Sequence, residues 1–143
     1  MKLGSVAMTY TILEDKTFSK MEVKELFSLI DAMNEMRPLC QEFKKDIEQA
    51  QKALASKEHT QWLEKGNLHN KGELTLCSKE LEELNTYFES YNNRVSTKVQ
   101  ELENREVKLK SKHLSAKGYE QLISSIKDDV KMGELLQVKE VLS

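Results

Sequence analysis

Between Leu74 and Leu109 the sequence repeats. Leu74, Cys77, Leu81, Leu84, Phe88, Tyr91, Val95, Lys98, Leu102, Arg105 and Leu109 follow one another at alternating three- and four-residue steps. Only Lys98 and Arg105 break an otherwise apolar or semi-apolar series. That period, kept over about five heptads, belongs to a long helix burying a narrow stripe against a second helix. At about 1.5 Å per residue the helix would run roughly 50–55 Å. A rod of that length needs a partner helix along it, from the same chain or from another.

The composition agrees with an extended helical fold. One Pro and five Gly leave few places to interrupt a helix, and 38% apolar against 32% charged residues is lean for a thick globular core. In 143 residues there is room for one domain. A net charge of −2, from 22 basic and 24 acidic residues, leaves no general electrostatic footprint for nucleic acid or an anionic membrane. No run of about 18 apolar residues is present to span a bilayer. Met1 to Met8 lacks the apolar core of a secretory signal, and Met8 offers a second start. Cys40 and Cys77 both fall on expected helix seams, which suits buried thiols in a reducing compartment. The expected location is therefore the cytoplasm.

Residues 6–13 are rich in β-branched and aromatic types and read as one short strand. With no second strand to pair with, residues 1–18 are expected to form an extended N-terminal arm, tucked onto the helices or added to a partner's sheet. Ser19 with Glu22 three residues on makes a capping box, and Phe18 and Val23 can close a staple over it. Val23, Leu26, Ile30 and Met33 then line one face, widened by Phe27, Leu29, Met36, Leu39 and Phe43. Pro38 predicts a kink or short break near 36–38, with helix resuming through Cys40, Phe43, Ile47, Ala50 and Leu54. Residues 66–72, Gly-Asn-Leu-His-Asn-Lys-Gly, are the clearest turn. They would lay the central helix, which is expected to end near 111–114, back on the first. Residues 115–143 read as one or two shorter helices, the first capped by Ser115 and facing inward through Tyr119, Leu122, Ile123, Ile126 and Val130.

The chemistry-bearing residue types form no convincing site. None of the three histidines has an acidic residue three positions before it, and neither a Cys-x-x-Cys nor a His-x-x-x-His occurs. Gly66 and Gly72 have no Gly-Lys-Ser/Thr after them, so no phosphate loop is present. Neither cysteine has a histidine beside it in sequence. No catalytic residue, metal site or cofactor is expected. Charge order is more informative, because acids gather over 79–89 and bases over 94–112. The helix macrodipole favours that order, and it also favours antiparallel over parallel pairing of two copies.

The sequence thus predicts an all-α protein. Residues 1–18 would be the extended arm, 19–114 an elongated, coiled-coil-like antiparallel hairpin, and 115–143 shorter helices packed on it. The expected function is a non-enzymatic protein-interaction module, an adaptor, assembly factor or chaperone, with no role for a membrane. The alternative is a structural coiled-coil protein that self-assembles, and further behind is a nucleic-acid-associated regulator. The candidate seam for pairing, within the chain or in an antiparallel homodimer, is Leu74, Cys77, Leu81, Leu84, Phe88, Tyr91, Val95, Leu102 and Leu109. The candidate partner-binding face is Phe27, Leu29, Met36, Leu39 and Phe43.

Overall fold

The computed structural model describes residues 1–110 and 114–143, and among them the regular structure is helical. Six helices follow in order: α1 Leu3–Leu13, α2 Val23–Leu54, α3 His59–Asn70, α4 Ser78–Glu103, α5 Ala116–Ile126 and α6 Met132–Leu142. None is long and apolar enough to cross a membrane. The chain divides into two compact units, one of Met1–Lys45 with Leu102–Ser143, the other of Asp46–Glu101.

The first unit holds the main core. The segment expected to be an extended arm is instead α1, and Leu3, Val6, Ala7, Thr9, Ile12 and Leu13 are buried in it. Strand propensity in residues 6–13 is a preference for half-buried, well-packed surfaces, and burial on a helix satisfies it equally. α1 packs on α6. The hydroxyl of buried Thr9 donates to the Gln137 carbonyl at 3.4 Å, so the polar atom enters the core with an acceptor. Leu3 N–H donates to Arg105 O at 2.8 Å and Val107 N–H to Met1 O at 2.9 Å, which ties the chain before α1 to the segment after α4.

Into this core α2 sends Leu29, Ala32 and Met36, which meet Leu122 and Ile126 of α5 and Val138, Val141 and Leu142 of α6. α2 starts at Val23, so the capping box expected at Ser19 does not form, and Ser19 lies in a turn. The first turn finds its partners on α5. The Glu22 N–H donates to Gln121 Oε1 at 2.9 Å, and the Glu22 carboxylate pairs with Lys117 at 2.9 Å. Its hydrogen bond to Lys117 holds the Glu22 carboxyl below its ordinary value and raises the Lys117 ammonium above its own. Pro38 does not break the helix. It sits on the exposed side, where water can take up the carbonyl that lacks its amide.

Ser115 caps α5, its Oγ accepting from Gly118 N–H at 3.0 Å. The same hydroxyl donates to the buried Glu25 carboxylate at 3.0 Å. Glu25 reaches it across Gly118, where an added Cβ would clash with Glu25 Oε2. Absence of a side chain at 118 therefore lets an acid from α2 cover the start of α5.

In the second unit, the expected turn at 66–72 is mostly helix. Gly66, Asn67, Leu68, His69 and Asn70 belong to α3, and the direction changes only at Gly72, whose φ is +77°. Gly66 faces Leu84 of α4, where an added Cβ would sit at an ordinary contact distance of 3.6 Å. The helix expected from Leu74 to beyond Leu109 is confined to Ser78–Glu103. Its expected end falls partly on Ser111, Lys112 and His113, outside the described residues.

Met36→Ala is expected to lower unfolding free energy by about 2–5 kcal/mol in denaturant titration, because it opens a cavity in a fully buried cluster. Phe27→Ala, on the opposite side of the same helix, should cost less than about 0.5 kcal/mol. Comparable losses at both positions would mean that α2 is oriented otherwise.

Candidate docking face and groove

Two surfaces stand out, one in each unit. In the first, α2 is apolar on two opposite sides. A residue turns about 100° from its neighbour on a helix, so positions 29, 32, 36 and 40 share one side while 23, 27 and 30 share the other. The inward set is buried. The outward set stays in water: Val23 is 66%, Phe27 62% and Ile30 43% exposed.

This divides the partner-binding face expected from the sequence. Leu29 and Met36 are fully enclosed core residues, and Leu39 packs against that core. Phe43 is half-buried, and only Phe27 is free to meet another molecule. A broad apolar stripe read along the chain was two narrower ones on opposite sides. Val23 and Ile30, counted in sequence with the inward residues, complete the outward face.

In the second unit, α2 and α4 border a groove of about 500 Å³ lined by Ala50, Ala53, Leu54, Asn93, Arg94, Thr97, Lys98 and Glu101. Its α2 side is apolar, and two of its three residues there are alanines, short enough to leave space between the helices. Its α4 rim carries charge. Lys98 Nζ pairs with Glu101 at 3.4 Å, while Arg94 Nε donates to its own helix at Ser90 O, 3.4 Å.

Next to it lies a knot of rings. His59, at the start of α3, has its ring centre 4.6 Å from that of Tyr91, 5.7 Å from Phe88 and 5.8 Å from Tyr87. Ser56 Oγ donates to the Tyr87 hydroxyl at 3.2 Å, and that hydroxyl lies 2.9 Å from His59 Nδ1. The Tyr91 hydroxyl donates to Gln51 O at 3.3 Å. These bonds join the end of α2, the start of α3 and the middle of α4. Ring stacking and hydroxyl bonds are enough to explain the cluster, and it needs no reaction to account for it.

The seam expected on α4 is shortened at both ends. Leu84 is buried, and Leu81, Phe88, Tyr91, Val95 and Leu102 are half-buried. Leu74 and Cys77 lie before the helix and are exposed. There the Cys77 thiol and N–H donate to the Glu80 carboxyl and hold it below its ordinary value. Cys77 is therefore no buried seam thiol, whereas Cys40 is buried. Leu109 lies beyond the helix and packs on the first unit's core. Val99 turns inward where the heptad placed Lys98, as a straight helix of 3.6 residues per turn requires. The basic half thins because α4 ends at Glu103. Arg105, Lys108 and Lys110 follow the end of α4, and Arg105 pairs with Glu42 at 3.7 Å.

Among the described residues no group of three His, Cys, Asp or Glu side chains is placed to hold a metal ion. Compared with models of known families, with curated proteins and with solved structures, the chain gives no match.

Tyr87→Phe should weaken the join of α4 to the start of α3 by about 0.5–1.5 kcal/mol for each bond lost. Amide hydrogen exchange over His59–Asn70 would then speed up selectively. Unchanged protection there would show that the rings alone hold α3.

Proposed function

We propose that this chain is a non-enzymatic protein-interaction module of the adaptor, assembly-factor or chaperone kind, docking a protein partner on the outward face of α2. The observation that carries this reading is the exposure of Val23, Phe27 and Ile30 in one line. They occupy positions i, i+4 and i+7, the spacing by which one helix lies along another or in a groove. Phe27 is the central anchor, as large aromatic residues often are in binding surfaces. Cation and anion flank it at Lys24 and Asp31, which gives a docking helix a direction as well as a place.

The finer architecture belongs to the same reading: the end of α2 and α4 act as an antiparallel hairpin, with the shorter C-terminal helices packed on the first unit. A second reading, a structural protein whose role is self-assembly, is favoured by the groove beside Ala50 and Ala53, because it offers a seat for a helix.

The test is site-specific photo-crosslinking in cells. A photo-reactive phenylalanine analogue in place of Phe27 is expected to give a discrete protein adduct. The same analogue at Glu48, exposed on the same helix, should not. Equal labelling from both positions would end the reading, as would an adduct that survives the added substitutions Val23→Glu and Ile30→Glu.

A further inference from the structure

The outward face of α2 and the groove of the second unit answer each other in shape and in charge. Lys24 and Asp31 lie seven residues apart on one flank of the face, and Arg94 and Glu101 lie seven apart on the rim of the groove. The signs run in opposite order along the two helices. For a helix laid antiparallel to α4, a single register therefore sets Asp31 beside Arg94 and Lys24 beside Glu101. Both spacings are about 10 Å along the axis, so neither pair has to stretch to let the other form.

Phe27 then falls level with Thr97 and Lys98, next to the space left by Ala50 and Ala53. Among the described residues neither Asp31 nor Arg94 takes part in an ion pair. Glu101 pairs with an exposed Lys98, and such surface pairs exchange at little cost.

We propose that the groove of one copy receives the Val23–Phe27–Ile30 face of a second copy, antiparallel to α4, with Asp31 on Arg94 and Lys24 on Glu101. The proposal rests on the docking role of α2 and names its occupant. Because the contact joins two different surfaces, it is head-to-tail: each pair keeps one free face and one free groove for further copies. A single helix in a groove buries less than a standard interface, so the association is weak and depends on concentration.

The experiment is solution mass by light scattering on the full chain, from about 1 µM to about 1 mM. Wild type is expected to grow beyond the monomer at the upper end. Phe27→Glu spoils the face and Ala53→Glu fills the groove. Both positions are exposed, so both variants should keep the wild-type circular dichroism spectrum and melting temperature. Each variant alone should stay monomeric, while an equal mixture should form a one-to-one pair and stop there, since it holds one intact face and one intact groove.

Asp31→Arg should weaken wild-type assembly about tenfold, and Arg94→Asp added to it should restore most of the loss. A wild type that is monomeric throughout would overturn the proposal, as would either variant assembling like wild type, or a mixture that does not pair. If wild type stays monomeric while Phe27 crosslinks to a different protein, the docking face stands and the second copy as its occupant falls.

Discussion

The meeting of Leu29, Ala32 and Met36 with Leu122, Ile126, Val138, Val141 and Leu142 is the contact on which the first unit depends. It gathers chain segments about a hundred residues apart around one turn-by-turn stripe of α2. A helix owes most of its stability in a protein to such a stripe and little to propensity. With it in place, α1 has a surface to close over, and the first turn of α2 gains its partners on α5. Polar groups that enter this core come with their bonds, Thr9 on Gln137 and Glu25 on Ser115. Burial without them would cost more than the contacts return.

The second unit works on a smaller apolar reserve. Leu76, Leu84 and Ala50 are its buried hydrophobic residues, and rings and hydroxyls supply much of the remaining cohesion. A lean core leaves grooves. Alanines at 50 and 53 keep the end of α2 thin where a leucine would have filled the space. The groove therefore follows from residue size at two positions and needs no loop or lid to shape it.

Helical class was legible from the heptads, and the inward residues of α5 from their spacing after Ser115. Other features were hidden for identifiable reasons. Residues 6–13 carry strand-type side chains, and only burial against α6 decides for helix, a tertiary effect no local pattern contains. Gly66 and Asn67 look like turn residues, yet both lie inside α3, and the direction changes only at Gly72. Ser19 and Glu22 have the spacing of a capping box, but Gln121 offers Glu22 N–H an acceptor one turn later than the box would start the helix. Phe27 was singled out in sequence with Leu29 and Met36, since all three are large and apolar. Separating them requires knowing which side of α2 meets α5 and α6.

That separation bears on why Val23, Phe27 and Ile30 are where they are. On the solvent side of a helix, Lys, Glu or Gln would form the helix as well or better, and the aromatic and β-branched types lose side-chain freedom there. Exposed apolar surface also carries an aggregation cost that a charged residue avoids. The core does not ask for these three residues, because α2 already buries a complete stripe on its other side. One such residue would be ordinary surface composition. Three in helical register, flanked by a lysine and an aspartate, are what the proposed docking role would account for and the core would not.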